Sequence, residues 1–135
     1  MLEIIFLIFL GGYFIQSVIF IIGTSKKFTR IKEDEYPSAT VVVAVRNEEK
    51  NILRCLNALN NLEYPEGKLE IIISDGKSTD STVEIVDKFI SDKKRFKRII
   101  AAPEKESLKG KANAIDSAVK ISTGDIILTL MQIVK

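Results

Sequence analysis

The stretch EIIISDGKSTD, residues 70–80, predicts a buried strand, a tight turn and the start of a helix. The run Ile71–Ile73 is short, β-branched and uninterrupted by polar residues, which is typical of a strand covered on both faces. Gly76 then supplies the backbone freedom that a tight turn needs. Asp75 therefore stands at the carboxyl end of a strand, the edge at which open α/β sheets bind their ligands.

Strand and helix patterns alternate along the rest of the chain. The segment TVVVAV, Thr40–Val45, predicts a second buried strand, and an apolar helical stripe follows it. The order β-α-β-α-β-α-β predicts a parallel sheet with right-handed crossovers. The later elements are predicted as a helix over 79–91, a strand over 98–102, a helix over 109–122 and a strand over 126–129.

Polar residues mark where two of the helices should begin. Asn47 is a suitable N-cap, and Glu48 and Glu49 suit the positive end of a helix dipole. The caps predicted for the next helix are Ser78, Thr79 and Asp80.

The first part of the chain is nearly all apolar, from Leu2 to Ile22, a length that spans the hydrocarbon core of a bilayer. Basic residues follow this apolar run and none precedes it. The positive-inside rule therefore predicts a single-pass protein of the cell membrane whose remainder is cytoplasmic. A cleaved signal peptide is the alternative, but it calls for basic residues before the apolar run and small residues after it. We expect residues 1–23 to be a transmembrane helix, 24–37 a basic juxtamembrane linker and 38–135 the α/β domain. The basic residues of the linker are Lys26, Lys27, Arg30 and Lys32.

Composition excludes several classes of function. The 135-residue chain has a formal net charge of +2, and much of the positive excess lies beside the apolar segment. Nucleic acid is therefore not an expected partner. The single cysteine, Cys55, excludes an internal disulfide and is predicted to be a small buried residue of a helix. Because the chain has no histidine, histidine bases and histidine metal ligands are excluded.

Three loops should meet at the carboxyl edge of the predicted sheet. Carboxylates there can bind ribose hydroxyls or a base N–H, and a lysine beside free helix N–H groups can bind a phosphate. Together they predict a nucleotide pocket, although helix capping by Asn47 and Glu48 and a plain surface position for Lys111 are the alternatives. The loops carry Arg46, Asn47 and Glu48 in the first, Asp75 in the second, and Gly110 and Lys111 in the third.

Two common nucleotide motifs do not fit the chain. Gly76–Lys77–Ser78 matches the end of a P-loop, but Ile71 stands where that motif needs a glycine. No G-x-G-x-x-G follows the first predicted strand, so the dinucleotide fingerprint is missing as well.

Three segments, in their order along the chain, resemble the N-terminal half of a family 2 glycosyltransferase of the membrane-anchored type. The resemblance runs from Pro37 to Thr129. It implies a partial GT-A fold, which is a nucleotide-binding α/β sheet, and a UDP- or GDP-linked sugar as donor. The segments are VVVAVRNEEKNILRCLNAL, YPEGKLEIIISDGKSTDSTVEIV and GKANAIDSAVKISTGDIILT.

The resemblance also implies roles for single residues. Ala44 departs from the family in standing where proline is frequent, and Gly76 replaces a frequent second aspartate. By position, Ala44, Val45 and Glu48 would line the nucleoside site, Asp75 would bind the base, commonly uracil, and Gly110 and Lys111 would close over the nucleotide.

A third departure concerns the metal. After its fourth strand the family carries an Asp-x-Asp motif, which binds a divalent cation, Mg²⁺ or Mn²⁺, on the diphosphate. Here no carboxylate occurs from Thr129 to Lys135. We therefore expect no metal ligand and no catalytic residue in this chain, which would be truncated and inactive alone. For the family, the acceptor is expected to be membrane-associated or a polysaccharide.

The end of the chain admits a specific hypothesis. The genetic code permits a coding of Leu130–Lys135 that changes its meaning when one T is inserted directly after the codon of Thr129. From Thr129 onward the chain would then read Thr-Phe-Asp-Ala-Asp-Cys. A frameshifted reading of an intact metal motif is therefore a hypothesis that the nucleotide sequence decides, and a truncation or a natural divergent end are the alternatives. The alternative functions are a membrane-tethered nucleotide- or partner-binding fragment, a non-functional remnant, and an unrelated nucleotide-binding α/β domain.

Overall fold

The computed structural model describes residues 1–25, 31–104 and 106–130. Two expectations from the sequence lie outside these residues. One concerns the cations Lys26, Lys27 and Arg30 of the predicted linker, and the other concerns the chain end at 131–135, on which the frameshift hypothesis depends.

The chain divides into two compact units, of which the first is Met1–Ile31 and contains one long helix, α1 (Leu2–Thr24). Within the described residues, α1 alone is long and apolar enough to cross a membrane, with a mean hydropathy of 2.4. The Ser17 hydroxyl donates a hydrogen bond to the Tyr13 carbonyl at 2.9 Å, so this polar group is satisfied within the helix. Length and composition therefore agree with a membrane span, and a signal sequence passes the same test.

The second unit, Lys32–Lys135, is an α/β domain that opens with a short 3₁₀ helix, Glu33–Glu35. Its four strands form one parallel sheet in the order β3-β2-β1-β4, which confirms the predicted fold class. The strands are β1 (Ala39–Val45), β2 (Leu69–Asp75), β3 (Phe96–Ile100) and β4 (Ile126–Leu130), and the helices are α2 (Ile52–Asn60), α3 (Thr82–Ile90) and α4 (Gly110–Val119).

The two central strands are buried on both faces, as their unbroken β-branched sequences predict. On one face Val43 and Ile73 pack with residues of α2 and α3, among them Leu56. On the other face Val42 and Ile72 pack against α4. Cys55 of α2 is half-buried against the first of these clusters, and burial raises the pKa of its thiol, which agrees with a packing role.

The strand β4 differs from the central pair because all five of its residues are exposed. Its apolar side chains are 39% to 54% exposed, although the strand pairs with β1 along its length. The helix α4 packs over β1 and β2 instead. Apolar surface is therefore exposed at this end of the sheet.

Two predicted helix starts are wrong, and the reason lies in the loops. The helix α2 begins at Ile52 with Asn51 as its N-cap, not at Asn47. Asn47 has a left-handed backbone, with φ of +55°, which a helix start does not use. The helix α3 begins at Thr82 rather than Thr79, because Ser78 and Thr79 bind to Asp75 and Asn47. Asp80 does act at the helix start, since its Oδ1 accepts the Thr82 N–H at 3.0 Å.

Hydrogen bonds join residues 46–49 to residues 76–82, and we call this contact the loop clasp. The Asn47 N–H donates to the Ser78 hydroxyl oxygen at 3.0 Å, and the Thr79 N–H donates to Asn47 Oδ1 at 2.8 Å. Ser78 in turn donates its hydroxyl to Asp75 Oδ1 at 2.6 Å. The clasp therefore connects the end of β1 to the carboxylate at the end of β2.

Two further bonds of the loop clasp use the backbone of the predicted helix start. The Glu48 N–H donates to Thr82 Oγ1 at 2.8 Å, and the Glu49 N–H donates to Asp80 Oδ2 at 3.2 Å. Partial desolvation raises the pKa of Asp80, but hydrogen bonds from Thr82 and from the Glu49 N–H outweigh it and lower the pKa below its usual value. The N–H groups of Glu48 and Glu49, predicted to lie in the first turn of a helix, thus bind side chains of the segment after β2.

The third strand begins two residues earlier than predicted, at Phe96 rather than Arg98, because Phe96 is buried opposite Ile71. The predicted strand also reached Ala102, whereas the observed one ends at Ile100. The last helix is shorter than predicted, and the fourth strand is one residue longer.

The turn before β4 is fixed at the amino edge of the sheet. Glu70 Oε2 accepts hydrogen bonds from Thr40 Oγ1 at 2.9 Å and from the Thr123 N–H at 3.2 Å. Gly124 then passes so close to β1 that an added Cβ would lie 2.6 Å from the Thr40 nitrogen and 2.7 Å from the Ala39 carbonyl carbon. A glycine is therefore required here by space rather than by φ.

We expect Gly124→Ala to lower the free energy of unfolding of the full chain in detergent by about 1–3 kcal/mol, because the backbone of β1 has to move. Urea unfolding followed by circular dichroism measures the change. Gly67→Ala is the control, since nothing lies within 4 Å of its added Cβ and only its φ of +76° is unfavourable. A loss at Gly124 no larger than the loss at Gly67 would contradict the packing argument.

We expect Ser78→Ala to lower the free energy of unfolding by about 1–3 kcal/mol, because Asp75 is only 3% exposed and loses its hydroxyl donor. Ser78→Thr retains the hydroxyl and should recover most of this loss. Ser91→Ala, which removes an exposed bond to the Lys88 carbonyl, is the matched control and should change stability little. Equal effects of Ser78→Ala and Ser91→Ala would contradict the role given to the clasp.

Candidate nucleotide site

The carboxyl edge of the sheet carries a cavity of about 560 Å³ between the loops that follow β1, β2 and β3. All strands are parallel, so the turns after them emerge at the same edge. The cavity is lined by Ala44, Val45, Arg46, Gly76, Lys77, Ala101, Ala102, Glu104, Gly110, Lys111, Asn113 and Ala114.

Four of the six site residues named from the sequence line this cavity. Ala44 and Val45 come from the end of β1, and Gly110 and Lys111 come from the start of α4. Gly110 has φ of +57°, a conformation that favours glycine, and it forms the turn into α4. The structure thus brings together residues that lie more than sixty positions apart in the sequence.

Small side chains form one wall of the cavity. Ala44 is buried in a cluster with Ala101 and Ala114, which come from the end of β3 and from α4. Beside them Asn113 is 4% exposed, and its side-chain amide donates to the Ala102 carbonyl at 2.6 Å. Methyl groups in place of larger side chains leave room for a flat group against the sheet edge.

Asp75 lies at the same edge but does not line the cavity. It is 3% exposed, directly before the lining residue Gly76. Its Oδ1 accepts the Ser78 hydroxyl at 2.6 Å and the Ser78 N–H at 3.1 Å, whereas from the described residues its Oδ2 accepts only that N–H, at 3.2 Å. One carboxylate oxygen therefore keeps capacity for a further donor.

Glu48 also stays outside the cavity. Its backbone N–H is held by Thr82 in the loop clasp, and its Oε2 accepts a hydrogen bond from the Asn51 side chain at 3.2 Å. The carboxylate thus takes part in the turn before α2. The helix-capping role weighed for this residue from the sequence is not observed, because its carboxylate binds a side-chain amide and no described side chain caps α2.

Several lining residues were not named as site residues from the sequence. Lys77 lies in a tight turn with φ of +63°, which no composition rule signals. Asn113 sits inside a helix, where an asparagine gives no functional pattern by itself. Arg46 was noted only as part of its loop, and Glu104 lies in the charged segment before α4.

The charges of the lining are mainly positive. Arg46, Lys77 and Lys111 supply cations, while Glu104 supplies the carboxylate and accepts the Gly110 N–H at 2.8 Å. An anionic ligand is the electrostatic match for this lining. Over residues 1–25, 31–104 and 106–130, no group of three or more Asp, Glu, Cys or His side chains could hold a metal ion.

The described part of the chain therefore shows no ready-made cluster of protein ligands for a divalent cation. Glu104 is the one carboxylate among the described residues that line the cavity. The cavity combines alanine side chains along one wall with the cationic residues Arg46, Lys77 and Lys111, and the buried Asp75 carboxylate lies beside it. This combination suits a nucleotide.

Comparison with known proteins agrees with this site. The model of the glycosyl transferase family 2 matches residues 40–130. Probable glycosyltransferase YdaM of Bacillus subtilis is 38% identical over 93 residues, which cover 69% of this chain and 22% of that protein. The chain thus spans less than a quarter of that relative's length.

Solved structures of nucleotide-sugar complexes are similar as well. Mannosyltransferase PcManGT from Pyrobaculum calidifontis, in complex with GDP-Man and Mn2+, has a TM-score of 0.61 and 28% identity, covering 77% of this chain and 30% of that one. S. aureus TarS in complex with UDP-GlcNAc has a TM-score of 0.56 and 29% identity, covering 69% of this chain and 26% of that one. The fold of residues 32–130 is thus that of GT-A glycosyltransferases, and the chain belongs to glycosyl transferase family 2.

Proposed function

We propose that the cavity binds the nucleoside diphosphate part of a nucleotide sugar, UDP- or GDP-linked. The observation that carries this proposal is that one cavity joins an alanine-lined wall to three cationic residues at the carboxyl edge of a parallel sheet. The base lies against Ala44 and Val45, and Lys111 with the Gly110 turn binds phosphate. Although Asp75 is 3% exposed and lies beside the cavity rather than in its wall, we propose that its Oδ2 accepts a base N–H when the nucleotide binds.

The whole protein, we propose, transfers a sugar from this donor to a membrane-associated or polysaccharide acceptor. The support is membership of the family, the bound GDP-Man and UDP-GlcNAc of similar structures, and the apolar helix α1. A divalent cation such as Mg²⁺ or Mn²⁺, if bound, would supply neutralisation of the charge on the diphosphate in such a transfer. The described residues do not offer it a ligand cluster, so the proposed binding uses the side chains of the cavity alone.

Isothermal titration of the full chain in detergent with UDP and with GDP tests the binding, with EDTA present. We expect saturable binding of at least one of them, and Asp75→Asn should weaken it about tenfold, because the isosteric amide loses the charged acceptor. Asp92→Asn removes a carboxylate on an exposed turn at the other end of β3 and should leave the affinity unchanged.

Two results would count against the proposed binding. Absence of saturable binding of either nucleotide contradicts it outright. Equal affinities of the wild type and Asp75→Asn contradict the role of the buried carboxylate, while leaving binding by the lined cavity intact.

We also propose that α1 anchors the protein as a single-pass membrane protein with the α/β domain on the cytoplasmic side. The support is the length and composition of α1 and the basic residues that follow it in the sequence. The full chain should stay in the membrane pellet after alkaline carbonate extraction, and a variant lacking residues 2–24 should not. Release of the full chain by carbonate would contradict the anchor.

A further inference from the structure

Lys77 adopts a backbone conformation that lysine rarely takes. Its φ is +63°, in the left-handed region where a Cβ meets steric repulsion. Neighbouring hydrogen bonds impose this conformation, because the Gly76 N–H donates to the Val45 carbonyl at 2.8 Å and the Ser78 N–H donates to Asp75. A glycine at this position would satisfy the same turn without strain. Strained residues of this kind concentrate at binding sites.

The strained residue lies at the mouth of the cavity. Lys77 is exposed and lines the cavity together with Arg46 from the loop after β1. The side chain of Arg46 passes beside Gly76, since an added Cβ on Gly76 would lie 3.6 Å from Arg46 Cβ and from Arg46 Cδ. The loop clasp holds these two loops together, so the two cationic residues share one side of the mouth.

The charge on this side of the mouth is not balanced by the lining carboxylate. Glu104 comes from the loop before α4, where its carboxylate accepts the Gly110 N–H at 2.8 Å. Asp75 is buried beneath the turn and is bonded to Ser78. A lysine ammonium is a compact charge with three donors, which suits a phosphate group.

We propose that Lys77 is a phosphate-binding residue of this cavity, and that its left-handed backbone directs the side chain towards the diphosphate of the bound nucleotide. This inference rests on the proposed function and adds to it a contact that the sequence did not predict. Glycine would relieve the backbone strain at this position but would remove the ammonium group. Replacing Lys77 with glycine should therefore weaken nucleotide binding without lowering stability.

Titration of the full chain in detergent with UDP, together with thermal unfolding, tests the proposal. Lys77→Gly should weaken UDP binding about five- to tenfold at low salt, while its melting temperature stays equal or rises. Lys77→Ala should weaken binding equally, and Lys77→Arg should restore most of it. The difference between wild type and Lys77→Gly should shrink at high salt, because an ammonium–phosphate contact is screened.

Lys94→Ala is the matched control, since it removes the same charge from an exposed turn at the amino edge and should change the affinity less than about twofold. Equal binding by wild type and Lys77→Gly contradicts the proposal, as does a loss that is independent of salt or that Lys94→Ala reproduces. None of these outcomes contradicts the proposal that the cavity binds a nucleotide. A wild-type chain that binds neither UDP nor GDP contradicts both the role of Lys77 and the proposed function.

Discussion

Burial of the two central strands is the constraint on which the α/β domain depends. Val42, Val43, Ile72 and Ile73 are fully buried, and helices pack on both faces of the strands that carry them. Burying an aliphatic side chain of this size contributes about 1.5–3 kcal/mol. With both faces covered, the polar ends of the strands remain at the sheet edges. The loops after β1, β2 and β3 emerge at the carboxyl edge, where the candidate cavity lies.

The second constraint is the hydrogen bonding between the first two of these loops. Backbone N–H groups of Asn47, Glu48 and Glu49 are bound by side chains of the loop after β2, and Asn47 returns a bond to Thr79. Each loop also contains a non-glycine residue at positive φ, Asn47 in the first and Lys77 in the second. Because such residues disfavour this conformation locally, the hydrogen bonds between the loops stabilise it. The loop clasp thus gives the cavity a rigid mouth on one side.

The site combines an apolar wall with positive charge, and its carboxylates serve mainly to hold the loops. Ala44, Ala101 and Ala114 leave space, whereas Asp75 and Glu48 make hydrogen bonds to their own turns. Among the described residues, cationic side chains of the lining are in place to meet an anion there.

The sequence by itself determined the α/β class, the parallel sheet and the apolar helix α1, and it predicted the edge of the sheet at which the cavity lies. These follow from hydrophobic patterns within single segments, such as Ile71–Ile73, which need no knowledge of the rest of the chain. It also identified four residues that line the cavity: Gly110 and Lys111 from the convergence of the loops, and Ala44 and Val45 from the family resemblance.

Only the tertiary structure decided where α2 and α3 begin, that Asp75 is buried beside the cavity rather than in its wall, and that Lys77 stands at its mouth. The physical reason is that the groups fixing these features lie 31 to 34 residues apart in the sequence. Capping rules weigh only local partners for Asn47 and Glu48, and in the folded protein more distant side chains bind the same N–H groups.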